Sequence, residues 1–181
     1  IATGDHQSNS ASQYPSLSAD GRYVAFQSSA TNLVPNDTNG TADIFVRDRQ
    51  AGTTERVSLG ITGTQGNLYS DKPSISGDGQ FVAFQSLASN LVFGDSNNSL
   101  DVFVRNRQNG TTTRVSVADG GGQGNSNSVF AAISSDGRFV GFLSGATNLV
   151  QGDTNGAFDV FVYDRRNGTT ERVSVTTGGA Q

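Results

Sequence analysis

The sequence contains no cysteine, no methionine and no tryptophan. It has one histidine (His6), one lysine (Lys72), two glutamates and three prolines. Without cysteine there is no disulfide, no thiolate nucleophile, no thiolate-held zinc and no iron–sulfur cluster. With one histidine, a Ser-His-Asp triad or a histidine metal site must be built on His6 or not at all. Excess positive charge is missing as well. The formal net charge is −4, which disfavours nucleic-acid binding, since that affinity needs clustered cations. No apolar run approaches the ~18 residues of a membrane-spanning helix. No basic segment followed by an apolar one marks a signal peptide. The lack of methionine points to a processed or excised piece. Good helix formers are scarce, whereas Val, Thr, Phe, Ser, Asn and Gly abound, an all-β composition rich in turns. Leu, Ile, Val and Phe supply 42 of 181 residues, above the ~20% level below which chains stay disordered.

What is present is a repeat, with a period of 58 residues. Ser18-Ala19-Asp20-Gly21 returns as Ser76-Gly77-Asp78-Gly79 and Ser134-Ser135-Asp136-Gly137. Asp43-Ile44-Phe45-Val46 returns at Asp101 and Asp159, and Arg56-Val57-Ser58 at Arg114 and Arg172. From Ser18 to Ser58, 22 of 41 positions are identical in all three copies. A period of this size marks stacked supersecondary units.

Each unit reads as four strands. The first covers Pro15 to Ser18, and an Asp-Gly turn follows. The second runs from Tyr23 to Ser28, the third from Asp43 to Arg49 and the fourth from Thr54 to Leu59. Tyr-Val-Ala-Phe in the second and Ile-Phe-Val in the third are apolar on both faces, as in a sheet packed between neighbours. The fourth alternates, which suits an outer strand with one wet face. Four antiparallel strands per unit, stacked face to face, give an all-β propeller of three blades. The pieces are a leading segment at 1–13 and blades at 14–71, 72–129 and 130–181. Asn32-Leu33-Val34 opens the long loop of each unit, and Leu33 and Val34 are expected to fold back onto the blade.

Ser-x-Asp-Gly-Arg-x-Val-Ala-Phe, followed by Asp-Ile-Phe-Val-Arg-Asp and a Gly-Thr-Thr turn, resembles the blade of the bacterial TolB-type, WD-repeat-like β-propeller family. The resemblance covers all three units. It implies a propeller used mostly for binding, on the bacterial cell surface or in the periplasm, and it implies six blades more than any other number. An extracellular or periplasmic place also suits the low lysine content and the abundance of Asn, Thr, Gly and Ser.

Propellers hold four to eight blades, so three leave two apolar blade faces open. Residues 1–7 align with 59–65 and 175–181, so the chain starts and stops at one point of the repeat. A head-to-tail contact between copies is expected. A homodimer gives six blades and is favoured; a homotrimer gives nine, and a piece cut from a longer propeller chain is the other reading. Ile1 and a neighbour's Val175 compete for one strand slot, so one of them must give way.

The sharpest chemical pattern lies in the loop between the second and third strands. Asp37, Asn39 and Asp43 recur as Asp95, Asn97, Asp101 and as Asp153, Asn155, Asp159. Hard cations take six to eight oxygen ligands, and alternate short oxygen side chains around a turn can supply them. The spacing resembles the Asp-x-Asn-x-Asp-Gly-x-x-Asp calcium loop of some propellers. Its first ligand position holds Pro35, Phe93 or Gln151 instead of an acid. The other reading is turn chemistry, since Asp and Asn cap tight turns. The series Gly40, Asn98, Gly156 fits a left-handed position. Both readings stand at this stage, with Ca²⁺ as the cofactor to test.

The remaining motifs read as structure. Ser-x-Asp-Gly is a hairpin turn. Arg49 and Arg56 are expected to meet Asp48-type carboxylates or backbone carbonyls. His6 aligns with Thr64, Gly122 and Ala180, so no repeated site includes it. The carboxylates sit at symmetric positions, which argues against one active site. The long loops share one face, where Leu68, Tyr69, Asp71, Lys72, Asn127, Val129 and Phe130 vary most, and loops on a rigid scaffold carry binding. The expected function is a non-catalytic binding or scaffold module that assembles into a closed ring, stabilised by calcium if the loops hold it. A carbohydrate-binding propeller is the alternative, and a polysaccharide-active enzyme the third reading. The ligand, protein or carbohydrate, is not specified by sequence, and neither nucleic acid nor membrane insertion is expected.

Overall fold

The structure is a computed structural model that describes residues 7–179. The expected competition at Ile1 and the histidine His6 lie outside the described residues. Among the described residues, twelve strands form three separate four-stranded antiparallel sheets in simple sequential order. The first sheet holds β1 (Ser12–Leu17), β2 (Tyr23–Ser28), β3 (Asp43–Asp48) and β4 (Thr53–Arg56). The second holds β5 (Ser70–Ile75), β6 (Phe81–Ser86), β7 (Asp101–Asn106) and β8 (Thr111–Arg114). The third holds β9 (Ser128–Ile133), β10 (Phe139–Ser144), β11 (Asp159–Asp164) and β12 (Thr169–Arg172). Each sheet is a blade of the β-propeller type, and the described residues hold three of them. Among the described residues no helix is long and apolar enough to cross a membrane.

The middle strands are where the pattern places them, because their two apolar faces each meet another layer. Ala25, Ile44, Val46 and Val57 of the first blade pack on Ile75, Val82, Phe84, Leu91 and Phe103 of the second. Ala83, Val102, Val104 and Val115 of the second pack on Val140, Phe142, Leu149 and Phe161 of the third. Leu91 and Leu149 enter these layers from the long loops, as expected of Leu33 and its repeats. Leu33 itself is buried with Ala30 and Phe45 on the outer side of the first blade.

Two boundaries of the first blade differ from the sequence reading by three residues, and the others by one at most. The first strand begins at Ser12 rather than Pro15. Ser12 and Gln13 pair with Ser28 and Gln27, and pairing resumes at Ser16 opposite Ala25. Tyr14 and Pro15 together oppose one residue, a β-bulge, and the proline there has no N–H to give the ladder. The same bulge recurs at Lys72-Pro73 and at Phe130-Ala131. The fourth strand stops at Arg56 instead of Leu59, although Val57 N still donates to Ile44 O at 2.8 Å.

The two joints between blades use the same bolts. Ala19 N donates to Gly77 O at 2.9 Å, and Gly77 N to Ser135 O at 2.8 Å. Ile75 N donates to Ser16 Oγ and Ile133 N to Ser74 Oγ, each at 3.1 Å. On the rim, the Arg107 guanidinium lies 4.3 Å from the Tyr23 ring centroid and 2.6 Å from Glu55. Arg165 lies 4.1 Å from the Phe81 ring in the next joint. Beneath each ring is a glycine: a Cβ on Gly79 would stand 2.2 Å from the Tyr23 ring, and one on Gly137 2.3 Å from the Phe81 ring.

Candidate functional site

The nine loop residues singled out by sequence come together in three clusters of one design. Asp43 opens β3 fully buried. Its Oδ1 accepts from Ser58 Oγ at 2.6 Å, and its Oδ2 from Asn39 Nδ2 at 2.9 Å. Asp37 and Asp43 lie 3.0 and 3.1 Å from one atom, Arg56 Nη1, which also donates to Gln65 Oε1 at 3.0 Å. Gln65 ties the loop down, accepting from Thr38 N and Asn39 N and donating to Asn36 O. In the second blade Arg114 stands 3.2 and 3.3 Å from Asp95 and Asp101, with Gln123 at 2.8 Å. In the third, Arg172 stands 3.2 Å from Asp153 and 3.8 Å from Asp159, and Asn155 donates to Asp159 at 3.0 Å. The turn positions Gly40, Asn98 and Gly156 have φ of 66, 51 and 64°, as the left-handed reading requires.

The sequence reading did not assign the arginine, serine and glutamine of these clusters to the acids. Their signal was present: Arg56 and Ser58 keep their type in every copy, and Gln65 recurs as Gln123. Burial pushes the carboxyls of Asp37, Asp95 and Asp101 up, against the pull of Arg56 or Arg114. Asp159 is held below its ordinary value, chiefly by the Ser174 hydroxyl.

This donor set does not fit calcium. The place between the two carboxylates is filled by a guanidinium, and Asn39 turns a donor toward Asp43. The buried polar atoms left without a hydrogen-bond partner in these clusters include Nε of Arg56, Arg114 and Arg172 and one acceptor, Asp37 Oδ1.

The other structural expectations are met in detail. Ser18 Oγ donates to Asp20 at 2.6 Å and accepts from Tyr23 N, closing the Ser-x-Asp-Gly turn around Gly21 at φ 69°. Arg49 donates to the Gly21 carbonyl at 2.9 Å. The partner of Asp48 is Arg22, at 2.7 Å, and that guanidinium holds the carboxyl well below the usual range.

A second candidate site lies where the inner strands β1, β5 and β9 converge. Tyr14, Lys72 and Phe130 occupy one repeat position, at the three bulges, with φ of 53, 51 and 57°. Left-handed backbone costs a side-chain-bearing residue about 1–2 kcal/mol, and three copies keep it. The bulge turns these side chains into a shared cavity of about 430 Å³, lined also by Pro15, Pro73 and Ala131. Lys72 Nζ lies 3.6 Å from the Phe130 ring centroid and 6.0 Å from that of Tyr14. Sequence flagged Lys72 and Phe130 as variable but not Tyr14, because the bulge hides in what reads as a plain strand start.

No protein-family model matches the chain, and no curated protein matches it. Solved structures do. TolB from Acinetobacter baumannii aligns with 94% of this chain and 34% of its own, at 20% identity and a TM-score of 0.55. A structure assigned as TolB from Agrobacterium tumefaciens aligns with 90% of this chain and 48% of its own, at 18% identity and 0.57. The β-propeller domain of the Trilobed protease from Pyrococcus furiosus aligns at 10% identity and 0.55, over 90% of this chain and 42% of that one. The likeness is one of fold, and the chain spans between a third and a half of each of these structures.

Proposed function

We propose that this chain is a non-catalytic binding or scaffold module of the TolB-like kind, whose propeller ring is completed by a second copy of itself. The observation that carries the reading is the third blade. Val102 and Val115 of the second blade are 0% and 1% exposed, whereas their repeats Val160 and Val173 are 38% and 43% exposed. On the first blade Leu17 is 61% exposed where its repeat Ile75 is 6%. The two open faces therefore carry the two halves of a joint already built twice within the chain.

The bolts of that third joint are on hand. Gly21 has the φ of Gly79 and Gly137 but no ring above it, and Phe139 is an exposed ring at the matching position. Arg49 repeats Arg107, and the exposed Glu171 repeats Glu55. A heterologous contact of this kind closes only as a ring. The scaffold reading also fits the carboxylates: the loop pairs each face an arginine, which leaves none of them free for acid–base work. The resemblance to TolB-type blades carries a periplasmic or extracellular place with it. Calcium is not carried into the proposal.

Native mass spectrometry over a concentration series, with and without chelator, tests this. Twice the 18.8 kDa chain mass, unchanged by chelation, is the expected result. Arg49→Glu shifts the population to the single chain, and adding Glu171→Arg restores the dimer. A chain that stays at 18.8 kDa at every concentration overturns the closure; three copies replace six blades with nine.

A further inference from the structure

We propose that the cavity at the hub is a binding site for a carboxylate borne on a flat apolar group. Its centre is Lys72, the single lysine of the chain. The ammonium contacts two aromatic rings and forms no ion pair among the described residues; the neighbouring Asp71, which also meets Gln85, acts on it only through its field, and the cavity lining contains no acid. Each arginine that fills a comparable role elsewhere, on the rim or in the loops, has a carboxylate or carbonyl acceptor. Lys72 is a cation placed over apolar surface in the lining of the cavity.

The rest of the lining sets the chemistry. Tyr14 and Phe130 are 47% and 55% exposed, so both offer ring surface to a guest, and Pro15 and Pro73 add flat apolar walls. One point charge matches a monoanion. A phosphate group asks for more donors, best from the forked guanidinium, and none lines the cavity. A ligand that stacks an apolar plane on a ring while its carboxylate meets Lys72 uses both features at once. The backbone supports a selected site: the left-handed geometry recurs within a few degrees of φ in all three blades while the residue it displays changes from Tyr to Lys to Phe. Strain of this kind gathers at binding positions. All the lining residues come from one chain.

A small aromatic acid and a free peptide C-terminus share this chemistry, and the probes separate them. The full-length chain, labelled with ¹⁵N, is titrated with phenylacetate, with phenylacetamide, with phenethylamine, and with an acetylated tripeptide ending in phenylalanine as free acid or as amide. The expected result is saturable shifts at Tyr14, Lys72 and Phe130 with one or both acids, weakened by salt, and none with the neutral or cationic probes. Response to phenylacetate points to a small acid, and response to the free-acid peptide alone to a chain terminus. Lys72→Gly suits a left-handed position, so it keeps the fold, and its Kd rises by roughly tenfold or more. Lys72→Arg keeps the binding. Equal response to acid and amide, shifts elsewhere, or undiminished binding by Lys72→Gly overturns the proposal.

Discussion

The middle blade and the third blade are nearly the same sheet in different company. Phe103 and Phe161 are both fully buried, and each stacks on its neighbour at about 6 Å, Phe84 and Phe142 respectively. One face of each blade thus looks alike. The other face does not: Val102 is sealed and Val160 is open, although they occupy one position of the repeat. The difference comes from the neighbour and not from the residue. A repeat encodes a half-joint at every blade, and only an adjoining blade turns it into core. The chain is therefore a run of identical half-joints with one unsatisfied at either end.

Core truncation should separate sealed from open faces most strongly. Phe84→Ala removes a ring buried between two blades and is expected to cost about 3–5 kcal/mol. Phe26→Ala removes its repeat on the half-covered outer face and is expected to cost roughly half of that or less. Chemical denaturation of dilute protein checks this. Equal losses would mean that the outer face is covered in solution, and a gap that narrows with rising concentration would assign the cover to a second copy.

The loop clusters give the next contrast. Arg114→Met leaves Asp95 and Asp101 buried and facing each other, and breaking such a group typically costs about 3 kcal/mol. Arg172→Met acts on a looser cluster, whose arginine sits 3.8 Å from Asp159, and a smaller loss is expected. A melting comparison decides, and equal destabilisation would contradict the difference in packing. If calcium instead held the loops, millimolar Ca²⁺ would raise the melting temperature of the unmodified protein; no rise is expected.

The repeat, the blade and the long middle strands were legible in the sequence because the evidence for them is periodic: Tyr23-Val24-Ala25-Phe26 cannot sit in water on either face. The loop acids were legible as a set, but not their partner. Arg56 reads by pattern as an interior position of an outer strand, and only the fold brings its guanidinium to Asp37 and Asp43. The bulge at Tyr14 was hidden for a similar reason, since Pro15 reads as the start of a strand and gives no hint that pairing begins three residues before it. Exposure of Val160 and Val173 was beyond any local pattern, because it depends on which blade stands next.

The smallest effect is electrostatic and again divides the blades. Asp48 and Asp164 pair with Arg22 and Arg138 at 2.7 Å on the rim of the first and third blades, where the middle blade has Asn106. The guanidiniums hold both carboxyls down, Asp164 to about 2. A depressed folded value contributes stability that is complete above the unfolded value of about 4 and fades as pH falls toward 2. Asp95 and Asp101 of the middle blade are raised by burial, so theirs is present at low pH and is lost as pH rises through their folded values. Acid should thus loosen the outer rim pairs while relieving the middle loop. Both rim pairs are partly exposed, so the effect is modest. In the double variant Asp48→Asn, Asp164→Asn the fall of melting temperature between pH 5 and 2.5 should be shallower than in the unmodified chain. Parallel curves would show that these rim pairs contribute nothing to the difference between the blades.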